Sequence, residues 1–116
     1  MNNIMGNKTE RILQWNCRGY RINKTFLDVL IDTYHPSIIC LQETNIPESL
    51  SDEMSKSDSY RGYKKYFSNY HNGDPYNESH HGVAIFVDTN FYPVSDTINI
   101  NFHAKSFQYL AVTVSK

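Results

Sequence analysis

The sequence predicts an α/β fold, a βαβ unit followed by mainly antiparallel strands, and three observations point to it. Two apolar runs, "RILQWNC" and "SIICLQ", flank a segment whose apolar residues fall at helical spacing, and short strand-like runs fill the rest of the chain. Its 116 residues suit one domain with a real core, since about 100 to 150 residues is the commonest domain size.

Residues 1–10 carry no apolar run and are expected to form a flexible N-terminus ahead of a domain over 11–116. Residues 11–17 suit a short buried strand, and "RGYRINK", with Gly19, suits a turn. Phe26, Leu27, Leu30 and Ile31 then mark a helix, with Asn23 or Thr25 as its cap and Pro36 ending it after Tyr34 and His35. The continuous run from Ile38 to Leu41 reads as a strand covered on both faces. Residues 45–62 are polar, with Leu50 and Met54 at helical spacing in a surface loop or short helix.

"YKKYFSNY" holds a strand, "HNGDPYNESHH" carries the turn signals Asn72-Gly73 and Asp74-Pro75, and "GVAIFVD" is another strand. Beyond the punctuation at Asn90 and Pro93, two more strands are expected, Val94 to Ile100 and Ser106 to Val114. In the latter, Phe107, Tyr109, Ala111 and Thr113 alternate with Gln108, Leu110, Val112 and Val114. The sequence stops just past that strand, the pattern expected of a truncated domain, whose unpaired final edge would invite association with other chains.

The formal net charge is −1, whereas a protein that grips the nucleic-acid backbone broadly carries a basic excess. Any nucleic-acid chemistry has to come from a local site. No run approaches the roughly 20 apolar residues of a membrane span, so the chain is expected to be intracellular, in nucleus or cytoplasm, with no membrane partner. In that setting the glycosylation patterns at Asn7, Asn23 and Asn77 read as chance, and Cys17 and Cys40 as small buried thiols.

Asn16 and Glu43 end the two runs of the βαβ unit. A right-handed crossover joins parallel strands and puts their carboxyl ends on one sheet edge, where α/β sheets bind ligands. The two residues are therefore expected in one site. Singly, Glu43 is an exposed strand-end acid and Asn16 a turn residue. Their joint placement, with Arg18 and Gly19 in one loop and Gln42 ahead of Glu43 in the other, points to function.

His71, His80, His81 and the cysteines share no familiar zinc-ligand spacing. Tyr60, Tyr63, Tyr66, Tyr70 and Tyr76, with Arg61, Lys64 and Lys65, have the make-up of a nucleic-acid groove. Without a basic excess, Tyr66 and Phe67 read better as strand core and the lysines as a solvated face.

"LQWNCRG", "PSIICLQET" and "GVAIFV", in this order and spacing, resemble the first half of the endonuclease/exonuclease/phosphatase (DNase I-like) superfamily. The nearest likeness is to the endonuclease domain of non-LTR, jockey- and LINE-like retrotransposons. The resemblance implies the N-terminal half of an α/β sandwich and, in the complete domain, Mg²⁺-dependent hydrolysis that nicks DNA, with Mn²⁺ as an alternative ion. It implies that Asn16 and Glu43 are catalytic, Asn16 placing the scissile phosphate and Glu43 binding the metal. Arg18 and Gln42 stand beside them as substrate-binding or supporting residues.

The family's later tyrosine, Asp-x-Asn and Asp-His motifs have no matching segment here. His71, His80 and His81 precede "GVAIFV" and are not assigned to that histidine, and His81 stands where the family usually shows a second glycine. An abasic-site repair nuclease, or a phosphatase or RNA deadenylase, would share the fold. A reading of another class is a non-catalytic, vestigial fragment of a mobile element.

Overall fold

The computed structural model describes residues 9–46, 48–56, 60–68, 82–98 and 110–116. The elements run β1 (Ile12–Asn16), α1 (Tyr20–Tyr34), β2 (Ile38–Gln42), α2 (Glu48–Lys56), β3 (Tyr63–Phe67), β4 (Val83–Asp88), β5 (Val94–Thr97) and β6 (Val112–Ser115). The first four strands to pair make one sheet in the order β1-β2-β4-β3, and β5 and β6 make a second. Strands β1 and β2 are parallel, with α1 as their crossover, while β2 with β4, β4 with β3 and β5 with β6 are antiparallel. The fold is thus the expected mixed α/β arrangement.

Strand periodicity decides which face each residue covers. Ile39 and Leu41, Ala84 and Phe86, and Tyr63 and Phe67 turn to one side, where they pack with Tyr20, Leu27 and Ile31 of α1 and with Ile46. Leu50 and Met54 of α2 close this core from its edge. Tyr20, Tyr60 and Phe67 set their rings 5.6, 5.9 and 5.8 Å from that of Phe86, in the edge-on geometry that the charge distribution of aromatic rings prefers.

The alternate residues face the other way. Tyr66 and Val87 are buried there with Phe91 and Tyr92, against Ile38, Ile85, Leu110, Val112 and Val114. The second sheet therefore covers this face, and the Tyr66 and Ser95 hydroxyls, 2.8 Å apart, tie the two layers together.

Several expectations need correction. Helix α1 begins at Tyr20, inside the stretch read as a turn, and its N-cap is Gly19, with no side-chain cap bond. Neither Asn23 nor Thr25 caps it, because both already lie within the helix. Phe26 is 53% exposed, resting its ring 5.4 Å from Trp15 rather than entering the core. Lys65, read as solvated, is buried: it shares strand parity with Tyr63 and Phe67. Lys64, of opposite parity, is exposed.

The polar segment 45–62 does hold a short helix, α2. Cys17 is buried, Cys40 half-buried, and both are free thiols. The expected N-terminal tail up to Lys8, the turns at 72–75, Tyr70, Tyr76, His71, His80, His81 and the 99–109 parts of the last two strands lie outside the described residues. No helix among the described residues is long and apolar enough to cross a membrane.

Candidate functional site

The parallel register sets Asn16 opposite Gln42 at the ends of β1 and β2. Pairing continues past the strands. Cys17 N–H donates to the Gln42 carbonyl (3.0 Å), Gly19 N–H to that of Glu43 (2.7 Å) and Tyr20 N–H to that of Thr44 (3.0 Å). Thr44 N–H donates in turn to the Gly82 carbonyl (3.1 Å), which brings the approach to β4 against the same loops.

These loops need unusual backbone. Arg18, Glu43 and Asn45 have φ of 50°, 54° and 56°, and Gly19 and Gly82 have 106° and 95°. A left-handed conformation costs an L-residue about 1–2 kcal/mol, and such positions persist where the surroundings over-determine them, as at binding sites. Gly82 is constrained twice. A Cβ there would fall 2.3 Å from Oγ1 of Thr44, itself buried, so neither the space nor the backbone admits a side chain.

Within this frame Asn16 Nδ2 donates to Glu43 Oε2. Asn16 is exposed and Glu43 half-buried, so the pair sits at the surface of the sheet edge. A carboxylate offers about four lone-pair sites, and the amide takes one while fixing the group's orientation. Arg18 is exposed two residues beyond Asn16, with no ion pair among the described residues, and Gln42 is half-buried beside them. The structure brings Asn16, Gln42 and Glu43 together and places Arg18 on the adjoining loop.

Four other residues build the site, although nothing in the sequence assigned them to it. Asn23 Nδ2 donates to the carbonyls of Cys17 (2.7 Å) and Arg18 (3.2 Å). Arg21 reaches the Asn45 carbonyl (3.4 Å), and Thr44 and Gly82 interlock. Glycine just ahead of a strand was the one readable signal, since it marks positive φ or close approach. The Cys17 thiol lies 3.3 Å from the Gln42 carbonyl. Burial, with a small contribution from the Glu43 carboxylate, pushes its pKa up, so it serves as a neutral donor tying the loops.

Among the described residues, no three His, Cys, Asp or Glu side chains gather to hold a metal ion. A single carboxylate is nonetheless a fitting donor for Mg²⁺, which keeps several waters and often takes one or two carboxylates together with substrate phosphate. Zinc would want four nitrogen or sulfur ligands, and the candidate histidines lie outside the described residues.

The model of the Endonuclease/Exonuclease/phosphatase family matches residues 13–112. The DNA-(apurinic or apyrimidinic site) endonuclease 2 of Xenopus laevis is 40% identical over 58 residues, which make 50% of this chain and 11% of that protein. AP endonuclease LMAP from Leishmania major superposes with a TM-score of 0.61 at 15% identity, over 79% of this chain and 28% of its own, a likeness of fold. The Xenopus laevis APE2 catalytic domain gives a TM-score of 0.50 at 31% identity, over 73% of this chain and 26% of its own. The chain thus spans about a quarter of these solved structures and about a tenth of the curated relative.

Proposed function

Because the chain belongs to the Endonuclease/Exonuclease/phosphatase family, we propose that it forms the opening part of a divalent-metal-dependent hydrolase of DNA phosphodiester bonds, with Asn16 and Glu43 in its active site. The observation that carries this reading is the contact between Asn16 and Glu43 at paired strand ends, inside loops held in left-handed backbone. Glu43 would hold Mg²⁺, or Mn²⁺, which when bound stabilises negative charge developing on the phosphate. Asn16 fixes the carboxylate and presents a neutral amide to a phosphate oxygen, a donor that needs no reorganisation as charge develops. Arg18 supplies a cation for a flanking phosphate, and Gln42 supports Asn16 from the neighbouring strand.

The likeness to an apurinic/apyrimidinic endonuclease over 58 residues supports abasic DNA as the substrate. The "LQWNCRG" stretch supports a second reading, the nicking of intact DNA by a retrotransposon endonuclease. The test uses the protein that carries this chain, with Mg²⁺ and supercoiled plasmid, intact or depurinated. Cleavage of the depurinated plasmid alone favours the repair reading, and equal nicking of both favours the transposon reading. Either activity should fall at least about 100-fold in Glu43→Ala, the scale of losing a group that stabilises transition-state charge. Undiminished cleavage by that variant would move the active site elsewhere. Cleavage of neither plasmid would favour a non-catalytic protein.

A further inference from the structure

We infer that Asn23, in the first turns of α1, is the positioning residue that sets the Asn16–Arg18 loop for its role against substrate. Its carboxamide takes two successive carbonyls, Cys17 at 2.7 Å and Arg18 at 3.2 Å. A primary amide has two N–H donors at one end and an oxygen at the other, so only its nitrogen end can face two acceptors. In extended chain, successive carbonyls point to opposite sides. They turn toward one side when the residue between them leaves the extended region, and Arg18 has left it, with a φ of 50° in the left-handed region. One side chain thus selects the conformation of Arg18.

Asn23 bends its own helix to do this. Its φ of −109° and ψ of 15° are not helical and interrupt α1 there, while its N–H still donates to the Gly19 carbonyl at 3.1 Å. Deprived of the amide, Arg18 would relax to a right-handed or extended conformation and redirect the chain between Asn16 and Gly19. The bonds from Cys17 and Gly19 to the β2 exit loop, and the contact of Asn16 with Glu43, depend on that course. By contrast, Tyr20, Leu27 and Ile31 anchor α1 to the core without help from Asn23. Loss of the amide should therefore disturb the site more than the fold.

The inference rests on reading the site as a DNA hydrolase, and the experiment separates the two. Asn23→Asp keeps the shape of the side chain and removes its N–H donors, and Asn23→Ala removes the group. In the protein that carries this chain, both variants should lower kcat for plasmid cleavage in Mg²⁺ by about 10- to 100-fold, the scale of a small misplacement of reacting groups. KM should stay within about twofold and Tm within about 4 °C. In two-dimensional amide NMR spectra, the resonances of Arg18, Gly19 and the Asn16 side chain should move, and those of β3 and β4 should not. A kcat within about twofold of the parent overturns the inference. So do unmoved Arg18 and Gly19 resonances, and so does a kcat loss that merely follows a large fall in Tm. If the parent protein cleaves no DNA, the hydrolase reading fails. The spectrum of Asn23→Asp then decides whether Asn23 sets the loop.

Discussion

Glu43 and Gly82 are separated in sequence by α2 and β3, yet one residue, Thr44, locks them together. Thr44 is buried, donates its N–H to Gly82 and lays its hydroxyl where a Cβ on Gly82 would go. Gly82→Ala must therefore either displace Thr44, and Glu43 with it, or abandon the φ of 95°. We expect a loss of about 2–4 kcal/mol in urea unfolding, combining overpacking with a backbone that alanine adopts poorly. A loss under about 0.5 kcal/mol, the range of ordinary surface substitutions, would show that the interlock is loose. Asn16 and Glu43 were legible in the sequence because both end apolar runs of a crossover unit. Asn23 and Thr44 were not, because they act through backbone atoms of left-handed loops, and nothing in residue type or spacing announces that partnership.

At the scale of elements, β2 was legible as a continuous apolar run and α1 as apolar residues at helical spacing. The start of α1 was not, because Ile22 is 81% exposed and Asn23 interrupts the helix, so its first turn lacks an apolar stripe. The pin between the two parallel strands was equally hidden. Ser37, fully buried, accepts a bond from Arg11 N–H at 3.1 Å and donates its hydroxyl to the Arg11 carbonyl at 3.0 Å. Its backbone N–H donates to that same carbonyl at 2.8 Å. These bonds fix β1, an edge strand of the described sheet, in register with β2, and hence set Asn16 opposite Gln42. Ser37→Ala should cost about 1–3 kcal/mol in denaturant unfolding, the net worth of the two hydrogen bonds its hydroxyl makes to Arg11. Amide exchange should quicken in β1 more than in β4. Uniform quickening across the sheet would show that Ser37 stabilises the whole fold rather than the register of β1.

For the whole molecule, the sheet is covered by helices on one face and by a second sheet on the other, and the helix side gathers three tyrosines whose ionisation the fold resists. Burial, chiefly, pushes Tyr20 and Tyr63 from 10 up to about 12, with the carboxylates of Asp28 and Asp88 adding to it. Tyr60 is raised by burial and by the bond its hydroxyl donates to Asp28. The unfolded chain ionises its phenols near pH 10 and the folded chain only at higher pH, so the unfolded state gains from each release of a proton. These tyrosines thus leave stability unchanged well below pH 10 and lower it as pH rises from 10 towards 12. Each fully buried tyrosine contributes at most roughly 1.4 kcal/mol per pH unit to that fall. Tyr20 isolates the effect, because its buried hydroxyl has no hydrogen-bond partner among the described residues. Tyr20→Phe should leave stability at neutral pH unchanged or slightly higher and should make the alkaline fall shallower, as followed by thermal unfolding over a pH series with tyrosinate absorbance as the titration readout. An alkaline fall as steep in Tyr20→Phe as in the parent would mean that Tyr20 ionises in the folded state as readily as in the unfolded chain.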